Sequence, residues 1–495
     1  MAGSERKRRL VEESQELGLT RRQFIDRGLK LGLSVSGTAA LLAACTGSKH
    51  TSAPKKLTGR AQILVGFGDG NSAAQRQVQQ VLAQAFIHDH PQVGIDFIRA
   101  ADVPAAETQL SALIARGSAP HIVLGIGLAE VARFVDQHYW LDLHSYFDRD
   151  KVTLGSFLSE SRAPTSVRSY YQSGKTIVGV PVGVHDHALA YNEELFSKAG
   201  VPVPPVSWSD GSWAFDGKFL AAAQALTRDA KGKPADAAGF DPAHISQFGV
   251  GHLRPEVAFY AFGGHAYNRS SHQAQFSAPS SVAGIQFASD LVNRYHVQPS
   301  PAQVADLGAA GDKGNEEQTA WRAGKLAMID MCSCEIDSPF GTKVPFSWKA
   351  AALPKGPDRR FGFEELSLGT VVAASGNHDL AWEVLKFFAI DPANEVKLGY
   401  EGLGAIPTLS ANLNAFGQGI KQSLSVDATP WIAGLASAST EHDDWIPSFV
   451  DVHNLMTGAF EQVMGGAPAS QVMPQLQLQA QGKIDAWFKA NKLPR

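Results

Sequence analysis

Three short clusters in this chain carry side chains of the types that perform chemistry. They are His185-Asp186-His187, Glu364-Glu365 and Cys332-Ser333-Cys334. Imidazoles and thiolates bind transition metals, paired carboxylates hydrolyse glycosides, and neighbouring thiols exchange with disulfides. The spacing within each cluster indicates which of these chemistries is open to it.

The two histidines lie two residues apart in an apolar segment rich in β-branched residues. In an extended strand His185 and His187 share one face, and Asp186 points to the other. A zinc site needs further convergent ligands, and the sequence shows no third one. The pattern therefore predicts no metal site. It leaves His185 and Asp186 as polar groups for a bound small molecule.

The paired glutamates could be the acid and base of a secreted glycosidase. Neighbours on a strand point to opposite faces, which defeats the paired-carboxylate geometry. The chain also has no nucleophile elbow, phosphate-binding loop or zinc-binding His-Glu motif. We therefore predict a protein that is not an enzyme, with the glycosidase as the alternative.

The chain has three cysteines, and two of them form Cys332-Ser333-Cys334. This spacing is short for a relaxed disulfide, and no second ligand pair for zinc accompanies it. The sequence predicts buried free thiols here, with no redox or metal role. The third cysteine, Cys45, closes the segment Leu42-Ala43-Ala44-Cys45 near the N-terminus.

The N-terminal residues have the pattern of an export signal. Arg21-Arg22 lies in a twin-arginine motif and precedes a modestly apolar run, 28–44. Leu42 to Cys45 resembles a bacterial lipobox. We expect residues 1–45 to direct export and a lipid on Cys45 to hold the protein at the outer face of the cytoplasmic membrane. A plain N-terminal anchor is the alternative. Residues 46–60 are polar and Pro-containing, which predicts a flexible tether.

Length and composition indicate a globular protein of more than one domain. The chain has 495 residues, 44% of them hydrophobic and 19% charged. A net charge of -4 gives no indication of a nucleic-acid partner. The motifs predict no cofactor.

The first part of the folded chain alternates strands and helices. Strand patterns at 61–67, 93–98 and 121–125 are separated by helical periodicity, which predicts a parallel α/β layer. Ligands of such sheets gather where the strands end, here at Phe67, Asp69 and Asn71. Turn formation and helix capping explain Asp69 and Asn71 equally well.

A long extended run at 174–196 has polar groups at its centre. It is a poor candidate for a single core strand and a good one for a crossing between two lobes. His185 and Asp186 would then lie in the groove between the lobes. A second extended run, 325–331, is the candidate return crossing.

Several segments, taken in order, resemble the extracellular solute-binding proteins of ABC importers, the family that includes maltose-binding protein. They are Gly117 to Val123, Gly174-Lys175 through Phe196, Trp321 to Met328, Leu353 to Pro357, Ala381 to Phe387 and Gly404 to Pro407. Each motif is weak alone, and their common order across the mature chain carries the resemblance.

The resemblance implies an α/β, periplasmic-binding-protein-like clamp of two lobes. Each lobe would be a sheet flanked by helices, and crossing hinge strands would join them. The lobes are expected at 61–184 with 329–374, and at 185–328 with 375–495. A monomer of this kind captures a carbohydrate between its lobes and delivers it to a membrane permease.

The resemblance also implies a set of ligand contacts. His185 lies where the maltose-binding relative has a sugar-binding carboxylate, which Asp186 could replace. Trp431 lies in the region of a stacking aromatic, whereas Gly125 stands in place of a tryptophan. Gly264 and Glu365 are further candidates. A non-sugar solute (a glycerol phosphate, a polyamine or a metal) and a receptor that signals without transport remain alternatives.

Overall fold

The computed structural model describes residues 57–68, 70–135, 137–157, 176–307, 316–336, 341, 344–362, 364–437 and 446–492. The predicted signal with Arg21, Arg22 and Cys45, most of the predicted tether, and Asp69 lie outside these ranges. Every helix within them is too short or too polar to cross a membrane.

The described ranges contain eleven strands and sixteen α-helices. The strands are β1 (Gly59–Val65), β2 (Val93–Arg99), β3 (Ile122–Gly127), β4 (Val180–Asn192), β5 (Arg228–Asp229), β6 (Ile245–Gln247), β7 (Tyr267–Asn268), β8 (Gln273–Ala274), β9 (Met328–Cys332), β10 (Trp348–Ala351) and β11 (Glu364–Val371).

The helices flank these strands. They are α1 (Ala73–Asp89), α2 (Val103–Ala115), α3 (Leu128–Val135), α4 (His144–Asp150), α5 (Glu193–Ala199), α6 (Leu220–Leu226), α7 (Pro255–Ala261), α8 (Pro279–Asn293), α9 (Pro301–Leu307), α10 (Glu316–Arg322), α11 (His378–Ala389), α12 (Pro392–Val396), α13 (Leu413–Leu424), α14 (Thr429–Ser437), α15 (Phe449–Met464) and α16 (Ala469–Ala490).

Seven strands form one sheet in two halves. The first half has the order β4-β11-β3-β1-β2, in which β1 pairs in parallel with both β2 and β3. This confirms the predicted parallel layer. β11 lies antiparallel between β3 and β4. The second half consists of β9 and β10, both paired antiparallel with the later residues of β4.

Strand β4 is the element that both halves share. Its residues Val180 to Asp186 lie beside β11, and His187 to Tyr191 lie beside β9. All of its residues are buried, including the polar ones at its centre. The predicted crossing is therefore present, and it is also a core strand, because both its edges and both its faces are covered. The predicted return run is β9.

The predicted lobe ranges stay a prediction, and segments of each range contact elements of both halves of the sheet. β9 and β10 fall in 329–374 apart from Met328, yet they pair with the second half of β4. Helices α11 and α14 fall in 375–495, yet they contact strands β1, β11 and β4. Leu385 and Trp431 from these helices join the same apolar cluster as Ile63 of β1. The chain thus returns to the first half after the last strand. No local sequence pattern predicts this return.

A separate apolar cluster lies in the second half. Its largest fully buried side chains are aromatic, namely Phe196, Phe215, Phe219, Phe259 and Phe276. Helices α15 and α16 cover it with Phe460 and Phe488. Side chains alternate between the two faces of β4, so that Leu189 and Tyr191 pack in this cluster and Ala188 and Ala190 pack in the cluster of the first half.

Asp150 fastens α4 to α11 in the first half. Its carboxylate accepts from Trp382 Nε1 at 2.6 Å and from Lys386 Nζ at 2.7 Å, besides Arg149 Nε at 2.8 Å. The hydrogen bond from Arg149 and those from Lys386 and Trp382 hold the pKa of Asp150 well below its usual range, although burial opposes them. The ionised carboxylate is therefore the form that stabilises this contact.

We expect Asp150→Asn to lower the free energy of unfolding by about 1–3 kcal/mol at neutral pH, because hydrogen bonds to a charged group are lost. Since the folded pKa is depressed, the stabilisation is complete above the unfolded-state pKa of about 4 and is lost as the pH falls toward the folded value. Urea denaturation of both proteins across that window measures the difference.

Asp148→Asn is the matched control, because Asp148 lies on the same helix with 73% of its side chain exposed. It should leave the free energy of unfolding nearly unchanged. Equal effects of the two substitutions at neutral pH would contradict the role given to Asp150.

Candidate ligand-binding site

The site begins where β4 changes partners. Asp186 forms the last register pair with β11, opposite Glu364, and the next residue, His187, pairs with Cys332 of β9. At this junction the Asp186 N–H donates to Ser333 Oγ at 3.3 Å. The Asp186 side chain is fully buried between the two halves of the sheet.

The Asp186 carboxylate lies against an indole ring and two glycines. A Cβ on Gly434 would lie 2.0 Å from Asp186 Oδ2 and 2.8 Å from Trp208 Cζ2. A Cβ on Gly362 would lie 3.3 Å from both Asp186 Oδ1 and the Trp208 ring. Gly434 is therefore required by close approach, and the carboxylate and the ring both lie against it.

Trp208 reaches from the second half of the molecule to the first. Its half-buried ring packs against the aromatic cluster of the second half. Its Nε1 donates to the carbonyl of Pro430 at 2.7 Å. Pro430 belongs to α14, which contacts β4 and packs with the first half through Trp431. One side of the groove is thus an aromatic face that bridges the two halves.

Arg360 lies next to Trp208, with its Cζ 5.9 Å from the ring centroid. The guanidinium is buried and donates to the carbonyls of Leu353 and Asp210. Burial lowers the pKa of Arg360, and the charge of Asp210 opposes this only in part. Its Nε is also buried and has no hydrogen-bond acceptor within the described part of the chain. A bound polar molecule would satisfy this donor.

We call Asp186, Trp208, Arg360, Gly362 and Gly434 the cleft cluster. It combines an aromatic face, a carboxylate and a guanidinium donor at the junction of the two halves. An indole face packs on the apolar side of a sugar ring, and charged groups accept from or donate to its hydroxyls. The cluster is therefore suited to a small polyhydroxylated molecule.

Two pairs of oppositely charged residue types lie near the cleft cluster, one buried and one partly exposed. His187 Nδ1 lies 2.9 Å from Asp330 Oδ1, and both side chains are almost fully buried. Burial alone would raise the pKa of Asp330, but His187 and then Arg254 lower it, and the net pKa lies below the usual value. Arg254, at the start of α7, lies 3.4 Å from Glu365 of β11 and so joins the two halves.

Three of the predicted site residues lie at this junction. Asp186 is a member of the cleft cluster. His185 lies beside the two cysteines of β9 and the turn that follows it, and only 6% of it is exposed. Glu365 lies at the edge of the groove and is paired with Arg254, with 52% of its side chain exposed.

The other predicted site residues lie elsewhere. Trp431 is fully buried and donates to the Met331 carbonyl at 2.9 Å, so it supports the groove from within the core. Phe67 is a core residue. Asn71 precedes the Ser72 capping box of α1. Gly264 packs against the Phe259 carbonyl, from which its added Cβ would be 2.5 Å. Asp69 lies outside the described residues.

The prediction of free thiols is wrong, because Cys332 and Cys334 form a disulfide, with their Cα atoms 5.2 Å apart. Cys332 is buried and Cys334 is exposed. The turn at Ser333–Glu335 brings the two side chains together. The prediction rested on the short spacing of the two cysteines, and the turn after Cys332 allows that spacing to be bridged.

Sequence patterns did not identify Trp208, Arg360, Gly362 or Gly434 as site residues. Trp208 follows a Pro-rich segment, and such a loop carries no periodicity that would fix the direction of its side chain. The glycines matter only because of what they face across the fold. A tryptophan in an otherwise polar loop was the one available signal.

The profile of the bacterial extracellular solute-binding protein family matches residues 69–395. A curated binding protein of Brucella abortus (strain 2308) is 22% identical over 272 residues, which are 53% of this chain. The chain spans 56% of the length of that relative, about half.

Two solved structures share the fold. One is the cyclic alpha-maltosyl-1,6-maltose binding protein from Arthrobacter globiformis, with a TM-score of 0.67 and 16% identity over 87% of this chain and 100% of that one. The other is UgpB from Mycobacterium tuberculosis in complex with glycerophosphocholine, with a TM-score of 0.66 and 15% identity over 87% of this chain and 99% of that one.

These structures confirm the periplasmic-binding-protein-like architecture expected from the sequence. The family profile covers most of the first half and much of the second, including the whole of β4 and the cleft residues Asp186, Trp208, Arg360 and Gly362. This chain belongs to the bacterial extracellular solute-binding protein family.

Proposed function

We propose that this protein binds a carbohydrate at the cleft cluster and delivers it to the permease of an ABC importer. The observation that carries the proposal is that the Trp208 ring and the Asp186 carboxylate both lie against Gly434 and Gly362, where the two halves of the sheet meet. An aromatic face with an adjacent carboxylate binds the two unlike surfaces of a sugar ring. The Arthrobacter relative, which binds a cyclic maltose derivative, supports the same class of ligand.

A choline-containing ligand is the second candidate. Trp208 and Asp186 together also suit a quaternary ammonium group, through cation–π attraction and charge. UgpB, which has the same fold, was solved with glycerophosphocholine. Arg360 beside the same ring opposes a second cation there, which favours the sugar.

Binding would act by holding the halves together. Trp208 comes from one half, while Asp186 and Gly434 belong to β4 and α14 of the other. A ligand that contacts both stabilises the closed arrangement over the open one by its differential affinity. The permease would then recognise the closed surface. Such binding needs no covalent step, in accord with a binding protein rather than a glycosidase.

The position of the protein in the cell belongs to the same proposal. The twin-arginine motif with Arg21 and Arg22 would direct export, and acylation of Cys45 would tether a monomer to the outer face of the cytoplasmic membrane. A tethered receptor stays within reach of its permease, which raises its effective concentration there.

We expect the full chain to be stabilised against thermal unfolding by some mono- or oligosaccharide. At a ligand concentration of 100 times Kd the stabilisation is about 2.7 kcal/mol. A thermal-shift panel of sugars, glycerophosphocholine, polyamines and Zn²⁺ measures it, with chromatography of the same mixtures for hydrolysis products. A shift with a non-sugar alone, or release of products from glycosides, would overturn the carbohydrate assignment.

Two substitutions locate the bound ligand. Trp208→Ala and Asp186→Asn should each weaken sugar binding at least about tenfold, because each removes an interaction of about 1.4 kcal/mol or more. Trp487→Ala and Asp148→Asn change the same residue types away from the groove, on α16 and α4. Titration calorimetry should give unchanged affinity for those two controls. Unchanged affinity in both groove variants would place the ligand elsewhere.

Gly434→Ala tests the fit of the groove. The added methyl group would lie 2.0 Å from Asp186 Oδ2, so the carboxylate or the Trp208 ring must move. We expect at least about tenfold weaker binding and about 1–3 kcal/mol lower stability from overpacking.

Gly419→Ala is the matched control on helix α13, where an added Cβ meets nothing within 4 Å. It should leave affinity unchanged and should not lower stability. If Gly434→Ala binds sugar as tightly as Gly419→Ala, Asp186 and Trp208 do not enclose the ligand.

A further inference from the structure

One cluster at the β4 junction has a composition that sugar binding does not explain. His185, Cys332 and Cys334 each place one ligand atom within 4.8 Å of the other two. The register of β4 with β9 causes this, because the ladder ends at the pair His187–Cys332. Residues after Cys332 then continue beside Asp186 and His185. The hydrogen bond from the Asp186 N–H to Ser333 Oγ fixes that continuation.

We propose that reduction of the Cys332–Cys334 disulfide opens a binding site for one thiophilic cation of the Zn²⁺ class, held by the two thiolates and the His185 imidazole. One nitrogen and two sulfur ligands, with a fourth position for water, form a familiar open zinc site. Zinc lies about 2.3 Å from sulfur and about 2.0 Å from nitrogen. Such bonds can be made by donor atoms that already lie within 4.8 Å of one another.

A phosphine reduces the Cys332–Cys334 disulfide. The S–S bond breaks, two S–H bonds form, and the phosphine is oxidised to its oxide with oxygen from water. Cation binding then releases the two thiol protons and forms two sulfur–metal bonds and one nitrogen–metal bond. The disulfide form has no thiolate to offer. The site is therefore open only in the reduced protein.

Backbone hydrogen bonds hold the two cysteines in one turn. The Cys334 N–H donates to Cys332 Sγ at 3.2 Å. The Cys332 N–H donates to Glu335 Oε2 at 3.0 Å, which holds the turn that carries both thiols. Such outer contacts orient metal ligands. Cys334 is exposed, which provides a path for a cation to reach the buried His185 and Cys332.

These three ligands could not be identified together from the sequence, because His185 is far from the two cysteines in the chain. The pattern around His185 and His187 showed no third ligand, and the cysteine pair showed no histidine. In the structure the two histidines have different partners. His187 is committed to Asp330 at 2.9 Å, whereas His185 lies with the cysteines.

Zinc titration of the full chain tests the proposal. The protein is treated with a phosphine reductant or left oxidised, and Zn²⁺ is added in competition with a chromophoric chelator. Reduced protein should bind one Zn²⁺ per chain, and oxidised protein none. Co²⁺ in place of Zn²⁺ should give a sulfur-to-cobalt charge-transfer band only in the reduced protein. Equal zinc binding in both forms, or no binding in the reduced form, would overturn the proposal.

Variants assign the ligands. Cys332→Ser with Cys334→Ser should abolish binding, and His185→Gln should weaken it at least about 10-fold while retaining the cobalt–sulfur band. His88→Gln is the control, because 87% of that side chain is exposed and it lies on α1. It should bind zinc as the unmodified chain does. Circular dichroism of each variant confirms folding, and if the double-serine variant fails to fold, His185→Gln decides. Undiminished affinity in folded His185→Gln would remove the imidazole from the site.

Discussion

The rest of the structure depends on the change of partner along β4 between Asp186 and His187. A strand whose edges and faces are all covered fixes both sheet halves in register with each other. At this point the ladder passes from β11 to β9 between consecutive residues, so side chains from both halves of the sheet meet there. The cleft cluster, the His187–Asp330 pair and the cysteine turn all lie at this junction.

Two of the contacts that join the halves at the junction are individually weak. Trp208 donates one hydrogen bond to Pro430, and Arg254 forms one partly exposed ion pair with Glu365. Contacts of these kinds contribute about 0.5–1.5 kcal/mol and about 0–1 kcal/mol respectively. The binding free energy of a ligand that contacts both halves exceeds the free energy of either contact. The groove is therefore suited to open and close with ligand, while the shared strand β4 keeps the two halves joined.

Much of the architecture could be predicted from local pattern. Parallel strands alternating with helices, the long extended run through His185 and the return run at β9 follow from the periodicity of apolar residues. The cleft cluster could not be predicted in this way. Asp186 was identified by its position in β4. Trp208 and Gly434 could not be identified, because they lie close to each other only in the folded chain and are more than two hundred residues apart in sequence. Trp431 was expected in the groove and lies in the core, because its indole N–H is taken by Met331.

The most direct test is the distance between the two halves with and without bound sugar. Spin labels introduced by Val81→Cys on α1 and Leu478→Cys on α16 would occupy exposed positions, 49% and 75% accessible, on opposite halves. If the groove binds carbohydrate between the halves, a saturating sugar should narrow the distance distribution and shift it to shorter values. Binding of the sugar with an unchanged distribution would contradict that account.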